Sequence, residues 1–429
     1  MSQHDHLVVG VDIGTTKICA VVAAPGDGGR VDVLGVGIAP SEGLNRGVVV
    51  NIDKTVAAVQ QAVGEAERMA GVTVRSVLVG IAGDHIQSFQ SRGVIAVKHR
   101  GGEITQADVD RLLEDTRQVA MPADRKILHV LPQEFVVDGQ DGVADPVGMS
   151  GVRLEANVHI ITGLVSAAKN VYRCIEKAGY EVADIVLEPL ASSHAVLHDD
   201  EKEVGVALVD IGGGTTDIAV FEDKTIRHTA VVAVAGNKVT DDVRKGLGIL
   251  QDQAERLKRQ FGVALVDRVG GEDGAADQEI TIPGIGGRPE KSIGQSTLAQ
   301  IIQPRLEEIL EIVGIEVKRS GYERNLSSGI VLTGGGSLIP YTAELAEEVL
   351  GLEARIGQPI GLGGGLTEEV QSPQFATAVG LVLYGLQRGA SGAAFAADDG
   401  GGGAGGFGDD AERLMDRIAR RMRGWFDEL

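Results

Sequence analysis

Aromatic side chains are scarce in this chain. Phe, Trp and Tyr together make 3% of its 429 residues, and there is one Trp. With 43% apolar residues the core must be aliphatic, built from Val, Ile, Leu and Ala. That mixture suits buried parallel strands alternating with helices. Cysteine is nearly missing too. Cys19 and Cys174 lie far apart, each in an apolar run, which excludes a disulfide scaffold, and no Cys/His spacing matches a zinc site. Both are read as buried thiols in a reducing, cytoplasmic compartment. Positive charge is outweighed: 40 Lys and Arg against 61 Asp and Glu leave a formal charge of -21. This argues against nucleic acid as a partner, because such binders draw affinity from neutralising phosphates. Attraction to an anionic membrane must therefore be local. No apolar run is long enough to be expected to span a bilayer. Met1–His6 lacks the basic and apolar regions of a signal peptide.

What the chain has in excess is glycine, with 61 residues against 12 prolines. Several glycines fall where apolar runs end. Leu7–Ile13 reads as a buried strand, joined by a Gly-Thr turn to a second strand, Thr16–Ala23, and followed by a third run, Val31–Ile38. Ile52–Met69 has helical spacing and Ser76–Ile81 is another strand. The same order returns with Val204–Ile211, Thr216–Phe221, Ile226–Val234 and the helical patterns Thr240–Gly246 and Asp252–Phe261. The chain is thus an α/β protein with a diverged internal repeat. Two matched halves predict two lobes with a ligand cleft between them. Between the repeats, residues 86–161 read as an inserted small subdomain, with a short strand Gly93–Val97, a helix Gln106–Val119, a strand Lys126–Leu131 and a turn near Asp145-Pro146. Arg268–Pro289 is acidic and glycine-rich and reads as an exposed excursion.

Three glycine clusters carry the chemistry. In Asp12-Ile13-Gly14-Thr15-Thr16-Lys17 a strand ends on a carboxylate and turns. Such a turn can offer backbone N–H groups to phosphate oxygens, Asp12 can hold Mg2+ through water, and Lys17 can offset phosphate charge. An ordinary β-hairpin would look the same. In Asp210-Ile211-Gly212-Gly213-Gly214-Thr215-Thr216-Asp217, three successive glycines lose backbone entropy to no purpose unless something must approach closely. The pair of motifs favours a phosphate site. A third cluster, Thr333-Gly334-Gly335-Gly336-Ser337, follows a strand and precedes a helix expected near Pro340. It is either a flat surface for a nucleoside or a plain strand-to-helix turn. The letters Gly401-x-Gly403-x-x-Gly406 follow no strand and carry no weight.

These three segments resemble the phosphate-1, phosphate-2 and adenosine motifs of the actin-like ATPase superfamily. The resemblance implies a duplicated, ribonuclease H-like two-lobe fold that binds ATP and Mg2+, with turnover slow or absent. It implies further that Glu188, in Leu187-Glu188-Pro189-Leu190-Ala191-Ser192-Ser193, acts with Asp210 as the catalytic pair, Glu188 orienting the attacking water. By composition alone Glu188 is only a residue opening a helix. Glu255 and Lys258 resemble the pair that reaches ribose and adenine, although an i,i+3 surface ion pair fits the letters equally well. The absence of a Walker A pattern excludes the P-loop enzymes.

Within the superfamily, Leu128–Phe135, Asp145–Leu154 and Phe375–Leu381 resemble the FtsA family of bacterial division proteins. The likeness covers roughly residues 7–388 and the final helix. It implies a first lobe from 1–85 and 162–200, an inserted FtsA-type subdomain at 86–161, a second lobe from 201–245 whose small subdomain is 246–300, and a return through 301–388. It also implies self-association into a filament through the inserted subdomain, binding of the C-terminal peptide of FtsZ near 246–300, recruitment of later division proteins, and residence at the septum on the cytoplasmic face of the inner membrane. The acidic insertion and the long glycine-rich linker depart from the family pattern.

The end of the chain is different in character. Residues 389–409 are Gly, Ala, Ser and Asp with two Phe, a flexible linker. In 410–429, placed at helical steps, Leu414, Met415, Ile418, Met422, Trp425, Phe426 and Leu429 fall within about 120° of arc. Arg413, Arg417, Arg420, Arg421 and Arg423 lie outside it. A basic amphipathic helix with Trp and Phe on its apolar face fits an anchor lying in the membrane interface. The competing reading docks it on the chain's own core or on a partner helix, and a 21-residue leash argues against the first of these. Two other functions remain to be weighed: an actin-like adaptor of type IV pilus assembly, and a phosphotransferase of the sugar-kinase branch.

Overall fold

The computed structural model describes residues 7–97, 102–269, 277–282, 284 and 289–390. Of the expected linker only Gly389 and Ala390 are described, and they end the helix Ala376–Ala390; the rest of it, the amphipathic helix and most of the acidic excursion lie outside the described residues. The chain packs into two compact units. One contains the residues up to Ile81, Lys169–Val196 and the stretch from Gly357; the other contains Ala82–Ala168 and Leu197–Ile356.

In the first unit, β1 (Val8–Ile13), β2 (Lys17–Pro25) and β3 (Val31–Pro40) form an antiparallel meander. Two short strands, β4 (Leu44–Asn45) and β5 (Val48–Val49), lead into α1 (Ile52–Ala70), then β6 (Ser76–Ile81). The Asn51 side chain caps α1 by accepting the Lys54 N–H, and Gly71, at φ 68°, ends it. Helix α1 lies flush on β3 because two strand residues have no side chain. A Cβ at Gly37 would stand 1.8 Å from the Ala62 carbonyl oxygen, and one at Gly35 2.1 Å from that of Ala66.

The second unit opens with the inserted segment: β7 (Gln87–Ala96), α2 (Gln106–Thr116), β8 (Arg125–Val137), β9 (Gln140–Val143) and β10 (Arg153–Leu164). These strands form one antiparallel sheet in the order β7-β10-β8-β9. Its own aliphatic core includes Ile104, Leu112, Leu154, Val158 and Ile160. Strand β7 is longer than the expected Gly93–Val97 because its full length pairs with β10, from Arg153↔Ala96 to Thr162↔Gln87. β8 likewise runs on through Pro132, where the pairing with β10 is irregular, as proline requires. Helix α2 stops at Thr116, short of Val119.

Helix α3 (Val165–Ala178) leads to β11 (Glu181–Leu187) and α4 (Glu188–Val196) of the first unit. The second unit then resumes with α5 (Asp199–Val204), β12 (Val206–Ile211), β13 (Thr216–Glu222), β14 (Thr225–Val232), α6 (Gly236–Leu247) and α7 (Gln251–Phe261). It continues through β15 (Glu279–Ile282), β16 (Lys291–Gly294), α8 (Gln295–Ser320), β17 (Ile330–Thr333), α9 (Thr342–Leu350) and β18 (Ala354–Ile356). The first unit closes with β19 (Leu362–Gly365), α10 (Thr367–Val370) and α11 (Ala376–Ala390). The described end of the acidic excursion is ordered as β15, paired with β16.

The duplication is visible in the sheets. The first unit's order is β11-β6-β1-β2-β3-β19, and the second's is β14-β13-β12-β17-β18. In each, a meander of three strands extends through parallel neighbours: β1 beside β6 and β11, β12 beside β17 and β18. Residues of α7, β15 and α8 share one core with β12, β13 and β17, including Val209, Ile218, Leu257, Ile280 and Leu306.

The inserted sheet is stitched to β14 within its unit. Ser88 Oγ donates to the Thr229 carbonyl at 3.0 Å, Gln133 Nε2 to the Ile226 carbonyl at 2.9 Å, and His159 Nε2 lies 3.0 Å from Thr229 Oγ1. His159 is 2% exposed, and its Nδ1 has no hydrogen-bond partner among the described residues. Burial, helped by nearby His228, pushes its pKa from 6.5 down to about 4. The unfolded chain therefore binds the extra proton between these values. The stabilisation is complete above pH 6.5 and is lost as pH falls toward 4. Urea unfolding of wild type and His159→Gln, followed from pH 7.5 to 5, should show wild type losing stability more steeply below pH 6.5. The difference should approach about 1.4 kcal/mol per pH unit for one proton. Parallel curves would show that His159 does not carry it.

Candidate nucleotide site

The second unit gathers its predicted residues at one sheet edge. Asp210 ends β12, in register with Asp217 across the hairpin and with Thr333 of the parallel strand β17. The loop closes through a Gly212 N–H to Thr215 carbonyl bond of 2.9 Å. Its outer carbonyls are held by the start of α6: the Gly236 N–H donates to Gly212 at 3.0 Å and the Asn237 N–H to Gly213 at 2.8 Å. The amides of Gly213 and Gly214 have no acceptor among the described residues. Thr215 Oγ1 donates to Asp217 Oδ2 at 3.0 Å. Thr216, by contrast, is fully buried and its hydroxyl donates to the Val234 carbonyl at 2.8 Å. Its side chain pins the hairpin and does not face the loop's open side.

The third glycine cluster lies against the same hairpin. Gly334 has φ 81°, and a Cβ there would stand 2.2 Å from Asp210 Oδ1 and 2.6 Å from the Ile211 carbonyl oxygen. Only glycine fits. At Gly336 a Cβ would meet Ile211 Cγ2 at 2.4 Å, whereas Gly335 is exposed and open. Ser337 Oγ donates to the Gly334 carbonyl at 2.8 Å, closing a 3-10 turn over Gly335–Leu338. The helix expected near Pro340 starts two residues later, at Thr342, after this turn.

Lys258 of α7 is the link to the third side. Its ammonium donates to Glu255 Oε2 at 2.7 Å, to Thr240 Oγ1 at 2.9 Å and to the Gly236 carbonyl at 3.2 Å. Thr240 Oγ1 also donates to Glu255 Oε2 at 2.5 Å. Lys258 is buried while Glu255 keeps 39% of its side chain exposed. The pair is thus no loose surface bridge; it is tied through Gly236 to the glycine hairpin. Gly236 and Thr240 were not anticipated from sequence. Their signal was weak, a glycine opening a helix and a threonine one turn later.

In the first unit the hairpin has the same build. Asp12 is buried and pairs with Cys19, and a Cβ at Gly14 would stand 2.8 Å from the Lys17 carbonyl oxygen. Thr15 Oγ1 accepts the Gly47 N–H at 3.0 Å, and the Thr16 carbonyl accepts the Ser41 N–H at 3.1 Å. Lys17 Nζ donates to the Gln374 carbonyl at 2.6 Å and lies 4.1 Å from the centre of the Phe375 ring. Glu188 opens α4 and lies along β6. A Cβ at Gly80 would come within 3.0 Å of its Cγ and 3.3 Å of its Oε1. Strand register aligns the two four-residue loops as Gly14 with Gly212 and Lys17 with Thr215. The Thr-Thr pairs that look equivalent by letters are therefore offset.

The donors suit a magnesium nucleotide. Glycine amides and hydroxyls can meet anionic oxygens, and a buried carboxylate ends β12. The open face at Gly335 and the Glu255–Lys258 pair are both tied to the same hairpin, the one through Asp210 and Ile211 and the other through Gly236. Among the described residues no group of three or more His, Cys, Asp or Glu side chains is placed to hold a metal ion, here or elsewhere, and no helix is long and apolar enough to cross a membrane.

Residues 207–380 match the profile of cell division protein FtsA, and residues 83–162 match that of the SHS2 domain inserted in FtsA. The chain is 46% identical over 390 residues to cell division protein FtsA of Pseudomonas aeruginosa, covering 91% of this chain and 92% of that one. It is 40% identical over 395 residues to FtsA of Escherichia coli K12, with 90% and 92% covered, and 39% identical over 382 residues to FtsA of Bacillus subtilis, with 89% and 84% covered. Among solved structures, one chain of a PilM–PilN type IV pilus biogenesis complex superposes with TM-score 0.64 at 17% identity, over 90% of this chain and 99% of that one. MreB 5 of Spiroplasma citri bound to AMPPNP gives TM-score 0.55 at 15% identity, over 90% and 98%. The fold is that of the actin-like ATPases, and the chain belongs to the FtsA family of cell division proteins.

Proposed function

We propose that the chain is a Mg-ATP-binding division protein that tethers FtsZ to the membrane. The observation that carries the nucleotide reading is the convergence, in one unit, of Asp210, the Gly212–Gly214 loop, Gly334–Gly336 and the Glu255–Lys258 pair. The first hairpin, Asp12–Lys17, is the duplicated counterpart and offers the same kinds of donor to phosphate. Mg-ATP, when bound, supplies the phosphate charge and the hydrolysable anhydride. The residues divide the remaining work. Gly14, Thr15, Thr16, Lys17, Gly212–Gly214 and Thr215 hold phosphate oxygens by N–H, hydroxyl and ammonium donors. Asp12 and Asp210 would hold magnesium through water, and Glu188 would orient a water. Gly334–Ser337, Glu255 and Lys258 receive the nucleoside. A bound nucleotide acts chiefly as a switch.

The tethering half of the reading rests on family membership and on the terminal sequence. The body self-associates through the inserted subdomain and binds the FtsZ C-terminal peptide near 246–300. Later division proteins are then recruited. The helix over 410–429 lies on the anionic inner surface of the cell membrane, with Trp425 and Phe426 inserted and the arginines at the headgroups. Neither the pilus adaptor nor a sugar kinase is favoured by any feature of the site.

Two experiments test this. Gly335→Val adds a side chain where a Cβ meets nothing within 4 Å. It should leave the unfolding midpoint nearly unchanged yet weaken Mg-ATP binding, measured by calorimetry, by about tenfold or more, roughly 1.4 kcal/mol. Asp210→Asn should reduce the magnesium dependence of binding. Wild-type affinity in both would remove this edge as the site. In a liposome flotation assay with anionic lipid, the full chain should float while a chain ending at Gly408 and the Trp425→Glu variant stay in solution. Equal flotation of all three would refute the anchor.

A further inference from the structure

The segment Phe375–Leu381 was singled out by resemblance alone, yet it touches the first hairpin directly. Phe375 ends a 3-10 turn, Pro373–Phe375, that leads into α11. Its ring is 4% exposed and lies under the Lys17 ammonium, which also donates to the carbonyl of the preceding residue, Gln374. The platform is rigid. Helix α11 sits on β1, where a Cβ at Gly10 would stand 2.6 Å from the Ala378 carbonyl oxygen. It also sits on α4, where one at Gly380 would stand 2.0 Å from that of Ala191, and Thr377 Oγ1 bonds Ser192 Oγ at 3.0 Å.

A lysine side chain has a flexible four-carbon stem and three donor hydrogens. Gln374 occupies one donor. The ring face attracts the positive charge without occupying another. The ammonium is thus held in one place with donors to spare, beside a hairpin whose partner in the second unit has Thr215 at the matching position and no cation. We infer that Phe375 is a positioning residue for Lys17, fixing its ammonium for the phosphates of a nucleotide. This rests on the nucleotide reading above. The clamp also joins the first hairpin to α11, the last described element before the C-terminal segment.

The test is a double-mutant cycle with Mg-ATP and adenosine as probes, read by calorimetry on the full chain. Phe375→Leu keeps apolar bulk and removes the ring. It should weaken Mg-ATP about 3- to 30-fold, the range expected of a cation–π contact, and leave adenosine unchanged. In a Lys17→Met background the same change should cost nothing further. Wild-type affinity for Mg-ATP in Phe375→Leu, equal weakening of adenosine, or full loss persisting in the Lys17→Met background would each overturn the inference. NMR reads the contact without any nucleotide. The ring should shift the Lys17 ε-methylene protons upfield in wild type, and Mg-ATP, not adenosine, should then move them. Unshifted protons overturn the clamp even where Phe375→Leu does not fold. Shifted protons in a wild type that binds no nucleotide would sink the site reading and with it the assigned role.

Discussion

At Gly334 the backbone passes so close to the Asp210 carboxylate that no side chain can stand there. The rest of the second unit's site depends on this approach. It follows from the parallel pairing of β12 with β17, which sets Asp210 beside Thr333. Parallel neighbours end at the same edge, so the loops that leave them must emerge together. A one-residue slip would turn Asp210 to the opposite face and scatter the cluster. Two hydrogen bonds from the start of α6 then brace the hairpin, and Lys258 extends the same network to Glu255.

The first unit solves the matching problem with helix packing. Asp12 and Lys17 lie on the hairpin, Glu188 on α4, and both elements rest against α11. Glycine is again the means, at Gly10 and Gly380, because backbone must meet backbone without side chains between. The two hairpins share their build while their surroundings differ. The second carries three glycines, an aspartate after the turn and a threonine bonded to it; the first carries a lysine with an aromatic platform beneath it.

Much of this was legible in the sequence because the signals were local. Strand–glycine–threonine runs, the repeat and helix α1 depend on residues adjacent in the chain, and Ser76–Ile81 appears with its expected bounds. The misjudged elements depend on distant partners. β7 owes its length to β10, and β8 continues past Pro132 because its neighbour tolerates an irregularity. Thr216 reads as a ligand residue by its place in the motif, but the Val234 carbonyl, eighteen positions on, takes its hydroxyl. Lys17 reads as a cation that can offset phosphate charge, but only folding brings Gln374 and Phe375 beneath it. The role of Glu188 came from resemblance; its placement over Gly80 reflects a β6–α4 contact that no spacing rule encodes.

Charge distribution explains why the proposed anchor stands at the end of a leash. The whole chain carries -21, so close approach of the body to anionic lipid is opposed. In the proposed arrangement a linker of this composition would reach roughly 25 Å, more than a Debye length of about 8 Å, and so let the body stand clear of the lipid. In the proposed anchor the five arginines and the apolar residues between them would favour docking on anionic lipid, and ordering the segment would oppose it. In the proposed polymer each bound tail would raise the effective concentration of the next, so attachment would strengthen on assembly without any new contact.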